Sequence, residues 1–136
     1  MSTNEQSNQE GEAEDTAETY RVLLGFHEAL RKSRRDFPAL KNYNQYLVAG
    51  ALLSADSVNL PIDISALAAY TNMQRSSLYK TLARMEQEKL VELYTLDGDK
   101  KRKYVKSTKL LLDQYTGLLD HTKMLIEFTT TRLGSS

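Results

Sequence analysis

Hydrophobic positions along this chain recur with two different periods, and the switch between them outlines its architecture. From Thr19 onward, Val22, Leu23, Phe26, Ala29 and Leu30 share one stripe of a helix. The cations of RKSRR (31–35) suit that helix's C-terminal end, where unpaired carbonyls attract positive charge. Pro38 opens a new short segment with Asp36 as its expected N-cap. A second helix is predicted over about 44–55, with Tyr46, Leu47, Ala51 and Leu52 apolar. The stretch DSVNLP (56–61) reads as a loop leading into a short extended piece near Leu60–Ile62. Asp63 can cap a third helix to about Tyr70, with Ile64, Leu67 and Ala68 inward. After the turn TNM, a fourth helix is expected from about Gln74 to Glu88 on the stripe Leu78, Leu82 and Met85. There the period shortens: LVELYTL and YVKST read as strands around the turn DGDKKRK. Ser107 or Thr108 can cap a long last helix. Its stripe of Leu111, Tyr115, Leu118, Thr122, Leu125, Thr129 and Leu133 has the spacing of a coiled-coil seam.

The resulting order is four helices, a hairpin and a closing helix, with one more short strand in the middle. Helix, three-residue turn, helix is the helix-turn-helix arrangement, and a hairpin directly after it makes the winged variant. The expected fold is mainly α with a small β-hairpin: a winged helix-turn-helix over 44–107, flanked by terminal helices at 19–35 and 108–133. Both terminal helices are apolar along one side and need partners. A bundle between two copies of the chain supplies them, with Val22, Phe26, Leu111, Tyr115, Leu118 and Leu125 as the expected dimerisation residues.

Charge changes this picture at the N-terminus. The formal net charge is zero. Yet residues 1–19 hold Glu5, Glu10, Glu12, Glu14, Asp15 and Glu18 and no Lys or Arg, so 18 basic residues face only 12 acidic ones in the remainder, net +6. Residues 1–18 have almost nothing to bury and are expected to form a disordered acidic tail before a single domain over 19–136. Cysteine is absent, which removes disulfides and thiolate chemistry. No apolar run reaches the ~18–20 residues that span a bilayer. The polar, acidic start is unlike a secretory signal, so a cytoplasmic protein with no membrane partner is expected.

The outward side of the fourth helix reads by itself as an ordinary solvated face or as a nucleic-acid surface, and the helix-turn-helix context favours the second. With Leu78, Leu82 and Met85 inward, the fourth helix turns Ser76, Lys80, Ala83 and Gln87 outward, flanked by Ser77, Tyr79 and Arg84. Gln74 and Arg75 stand at its start. The N-terminal half of this face is polar or basic, while Glu86 and Glu88 lie at the far end. That polarity suits a helix whose backbone N–H groups and cations meet phosphates. Lys100, Lys101, Arg102 and Lys103 are expected at the tip of the wing, within reach of backbone phosphates or the minor groove. Catalytic constellations are missing: His27 and His121 are far apart, and no glycine-rich phosphate loop or metal-spaced cluster occurs. No enzymatic activity, cofactor or metal is expected.

Over about residues 20–133, and most strongly at 63–108, the sequence resembles the multiple-antibiotic-resistance regulator (MarR) family of winged-helix repressors. SSLYKTLARMEQEKLVE resembles that family's recognition helix and the turn into its wing; DKKRKYVKST resembles its wing motif, an Asp followed two residues later by Arg, then a strand ending in Leu-Thr. Two positions depart from the pattern: Lys101 stands where the Arg is usual, with Arg102 one place later, and Ser107 replaces the Leu. Lysine is a point charge without the planar fork of arginine. The resemblance implies a homodimeric repressor, built through its terminal helices, on a pseudo-palindromic operator in double-stranded DNA. It also implies release by small phenolic or other anionic effectors; Tyr43, Tyr46, Tyr70, Tyr115 and His27 are candidates to line such a cavity, or else to pack as core. The competing reading is a winged-helix protein that acts mainly through protein contacts.

Overall fold

A computed structural model describes the backbone of residues 2–134 and the side chains of residues 9–134. It consists of α1 (Ser2–Ser33), two short 3-10 turns (Arg34–Asp36 and Pro38–Leu40), α2 (Tyr43–Ser57), β1 (Ile62–Asp63), α3 (Ile64–Thr71), α4 (Arg75–Gln87), β2 (Val91–Leu96), β3 (Asp99–Ser107) and α5 (Lys109–Gly134). These form two units: one is Arg34–Leu118, the other combines α1 with α5 from Leu119 onward.

The Arg34–Leu118 unit is a winged helix. Its core gathers Leu40, Val48, Leu52, Leu67, Leu78, Leu82, Met85, Leu90, Val91, Val105 and Leu111, all essentially sealed from solvent. Side-chain caps start its helices where the sequence offers acceptors. Asn42 accepts from the Gln45 amide at 3.1 Å, and Asp63 from the Ala66 amide at 2.7 Å. At α5 the cap is Thr108: its Oγ1 accepts from the Leu111 amide at 3.4 Å and donates to the Lys89 carbonyl at 2.7 Å. Asp36, expected to cap the segment opened by Pro38, instead ends the first 3-10 turn, and Phe37 holds the cap position with no side-chain bond.

The sheet is antiparallel in the order β1-β3-β2, with Val91 opposite Ser107, Tyr94 opposite Tyr104 and Ile62 opposite Val105. Its hairpin closes at Asp97–Gly98, where Gly98 adopts φ +88°, a left-handed value that a side chain disfavours. This moves the expected wing tip. Lys100, Lys101, Arg102 and Lys103 lie along β3 after the turn, and acidic Asp97 is the turn residue.

In the second unit α1 begins at Ser2, so the segment expected to be disordered over 1–18 is helical in the structure from that residue. Residues 9–18 are exposed throughout, as their lack of apolar side chains requires. The helix there is supported locally: acids concentrate toward its N-terminal end, and Arg21 pairs with Glu18 at 2.7 Å one turn back.

The expected seam of α5 divides in two. Leu111 and Leu118 are buried in their own chain's core, and Tyr115 packs against it, so these three face inward rather than toward a second copy. A leucine stripe records only that one side is apolar, and here the winged-helix core takes its first half. Val22 is buried, Phe26 and Leu125 half-buried. The large apolar side chains left open on this unit are Tyr20, Leu23 and Leu24 on α1, with Leu119, Met124 (66% exposed), Ile126, Phe128 (61%) and Leu133 on α5.

Candidate nucleic-acid interface

Helix α3 ends at Asn72, whose φ of 56° places it in the left-handed region that asparagine tolerates. The chain reverses there and re-enters helix at Arg75. Leu78, Leu82 and Met85 of α4 are fully buried, as their spacing predicts, and Thr81 joins them by donating to the Ser77 carbonyl at 2.8 Å. Anchoring that stripe turns Gln74, Arg75, Ser76, Tyr79, Lys80 and Arg84 to solvent, with Tyr79 half exposed; Ser77 is half-buried at the edge of the face. The Gln74 side chain makes no cap bond, so the first-turn amides of α4 lack a side-chain acceptor.

Not every expected contact residue is equally open. Arg84 Nε donates to Glu88 Oε1 at 3.0 Å, and Glu88 also accepts from Gln45 Nε2 at 3.3 Å. That ties Arg84 to the C-terminal end of α4, away from the basic half. Arg75 donates to Ser65 Oγ at 2.7 Å, linking the two helices of the motif at their N-terminal ends.

The wing joins this face. A cleft of about 150 Å³ is lined by Asp63, Ser65, Arg75, Tyr79, Lys101, Arg102 and Lys103, so recognition-helix and wing cations border one space. Asp99 Oδ1 accepts from the Lys101 and Arg102 amides at 3.3 and 3.2 Å, which shapes the start of β3. Its other oxygen lies 3.5 Å from Arg102 Nε, and Asp63 Oδ2 lies 4.0 Å from Arg102 Nη1. The involvement of Asp99 was legible only as the Asp that opens the wing motif of the resemblance. Those of Asp63 and Ser65 were not: each lies far along the chain from its partner, and only the antiparallel pairing of Asp63 with Tyr104 brings it to the wing.

Three of the four tyrosines expected near a cavity pack on one another. Tyr46 and Tyr115 stack at 6.0 Å between centroids and 10° between planes, Tyr43 lies 6.4 Å from Tyr46, and the Arg34 guanidinium sits 4.9 Å over Tyr46 and 5.4 Å over Tyr43. Burial, followed by the neighbouring Tyr46, pushes the Tyr115 phenol up to about 12. Tyr70 is exposed and reaches Ser54 Oγ at 3.5 Å. His27 lies exposed on α1, edge-on to Phe26 at 6.1 Å.

No helix among the described residues is long and apolar enough to cross a membrane. No protein family's sequence model matches this chain, and no curated protein does. Solved structures do match. NadR in complex with 4-hydroxyphenylacetate is 24% identical with a TM-score of 0.59, over 83% of this chain and 79% of NadR. The YusO protein from Bacillus subtilis is 13% identical with a TM-score of 0.69, over 88% and 80%. A MarR-family transcriptional regulator from Silicibacter pomeroyi is 18% identical with a TM-score of 0.56, over 79% and 68%. The chain has the MarR-type winged-helix fold. At these identities the likeness is one of fold. It agrees with the resemblance that the recognition-helix and wing segments carry in the sequence.

Proposed function

We propose that this protein is a sequence-specific double-stranded DNA-binding transcriptional regulator, cytoplasmic, that acts as a homodimeric repressor on a pseudo-palindromic operator. The observation that carries the reading is the shared border of α4 and the wing: Arg75 and Tyr79 of the helix line one cleft with Lys101, Arg102 and Lys103 of β3. A recognition helix entering the major groove needs its polar half outward and flanking cations for the phosphates beside it. Ser76, Tyr79 and Lys80 are then the side chains presented to base edges, and Lys100, Lys101 and Lys103 those presented to phosphate.

Dimerisation in this reading uses the open apolar residues of α1 and α5, which a second copy of the chain would cover. An effector is part of the reading as well. NadR was solved with 4-hydroxyphenylacetate, and here Arg34 over a tyrosine stack offers a cation and aromatic faces to a phenolic anion. Its Nη1 is buried without a hydrogen-bond partner, an arrangement that an anionic ligand would satisfy.

The test is to select fragments of the source genome on the immobilised protein, sequence them, and titrate the enriched duplex against random duplex by fluorescence anisotropy at moderate salt. The expected result is enrichment of an inverted repeat bound at least ~10³-fold more tightly than random DNA. Negligible affinity for either duplex would favour the reading in which the winged helix acts through protein contacts.

A further inference from the structure

We propose that a second cleft, formed by the last turn of α2, the loop after it and strand β3, is a binding site for a small zwitterion with an apolar body, of the α-amino acid class. The cleft has a volume of about 320 Å³, the lower end of the range for small-molecule sites. It lies apart from the tyrosine stack and shares no lining residue with the cleft between α4 and the wing.

Its apolar surface is partly uncovered. Leu52 and Val105 line it and are buried, whereas Leu60 lines it while remaining 64% exposed. An occupant with an apolar body would cover Leu60, as no element of the winged helix does. The wall that carries Leu60 is held in place beforehand. The Val58 and Leu60 amides both donate to the Ala55 carbonyl, at 3.3 and 3.0 Å, around Asn59 at φ 55°. Pro61 has no N–H to offer β3, and the pairing of β1 with β3 stops at Ile62–Val105. Lys106 and Ser107 therefore border the cleft on this side.

Two residues of opposite charge line the same space. Asp56 lies in the last turn of α2, where the helix's own unpaired carbonyls add negative potential, and Lys106 lies on β3. Lys106 now stands 3.4 Å from Glu92 and 5.6 Å over the Tyr94 ring. The pair with Glu92 is exposed at both ends, so exchanging it for a ligand carboxylate costs little. A simple anion would leave Asp56 facing like charge, and a simple amine would do the same to Lys106. A zwitterion places its ammonium at Asp56, its carboxylate at Lys106 and its side chain against Leu52, Leu60 and Val105.

Heteronuclear NMR titration of the full chain tests this with L-phenylalanine, L-leucine, phenethylamine and 3-phenylpropionate. Saturable shifts are expected for the two amino acids at Leu60, Tyr94 and Lys106. Each single-charge analogue should bind about ten-fold or more weakly, as should phenylalanine to Asp56→Asn and, independently, to Lys106→Gln. Both substituted side chains are at the surface, so the variants keep the fold. Absence of saturable shifts with either amino acid overturns the proposal. So does a single-charge analogue that binds as tightly as phenylalanine, or unchanged affinity in both variants. The titration contains no DNA, so its failure leaves the DNA-binding reading intact.

Discussion

Arg102 Nε lies 3.5 Å from Asp99 Oδ2, three residues back along the same strand. With Asp63 a further 4.0 Å contact, the guanidinium is shared between two carboxylates, and Asp63 caps α3 at the same time through its other oxygen. Among the described residues, Lys100, Lys101 and Lys103 have no such ion pair. The four wing cations therefore divide into one that braces the wing against the helix-turn-helix and three that are free to meet phosphate.

That division predicts unequal salt dependence. Each phosphate contact changes the slope of log K against log salt by roughly 0.9. Replacing Lys101 and Lys103 together with Ala should flatten the slope by about 1.8 for enriched and random duplex alike. Arg102→Ala should flatten it less, because part of its charge is already offset. Anisotropy titrations at four salt concentrations would decide it. A larger slope change for Arg102→Ala than for the lysine pair would reverse the assignment.

Recognition-helix variants should act on sequence preference instead. Ser76→Ala, Tyr79→Ala and Lys80→Ala are each expected to weaken binding to the enriched duplex by about 1–3 kcal/mol where a base-edge contact is lost. Random duplex should lose less, so the ratio of the two affinities narrows. If both affinities fall in parallel, these side chains contact only the DNA backbone.

Assembly should depend on the open half of α5 and not on the buried half. Met124→Glu with Phe128→Glu places charge on exposed apolar positions, and sedimentation should show a loss of dimer at micromolar concentration with the winged-helix melting transition retained. Leu118→Glu, by contrast, puts a carboxylate into the chain's own core and should lower the melting temperature of that unit. A dimer that survives the double substitution would place the interface elsewhere.

Close packing around Phe37 makes Gly117 a sensitive position. A β-carbon there would lie 2.6 Å from Phe37 Cε1, so Gly117→Ala forces the ring out of its present place. Overpacking of this kind destabilises by about 1–3 kcal/mol. Gly25→Ala meets nothing within 4 Å and serves as the control. Equal denaturation midpoints for the two variants would contradict the packing described for α5.

Alkaline pH should expose the buried phenol. Tyr115 titrates at about 12 in the folded chain against an ordinary 10.0. The raised value means that folding favours the neutral phenol. Its contribution to stability is therefore complete below pH 10 and is lost as pH rises toward 12. The difference in melting temperature between wild type and Tyr115→Phe should shrink across that window, by circular dichroism. A constant difference would show that ionisation of Tyr115 is not linked to folding.

How far these relationships could be read beforehand depends on their range along the chain. The α3–turn–α4 motif, the Leu78, Leu82 and Met85 stripe and the caps at Asp63 and Thr108 all follow from residues within a few positions of each other. Local backbone geometry is enough to relate such neighbours. The wing's strands were equally legible, but its turn was placed too late. DGDKKRK reads as one polar segment, and the tight left-handed Gly98 that lets β3 begin at Asp99 depends on pairing with β2.

The sequence by itself determined the order of elements, the inward stripe of α4 and the concentration of cations after residue 99. Periodicity, capping and charge are properties of a chain segment, whatever surrounds it. Only the tertiary structure decided which apolar surface stays open. Leu111 and Leu118 share a stripe with Leu125, yet the first two are consumed by the chain's own core. It also decided which cation is braced, since Asp63 and Arg102 meet only through the β1–β3 ladder. A hydrophobic period states that a face will be covered, and what covers it is settled when distant segments pack.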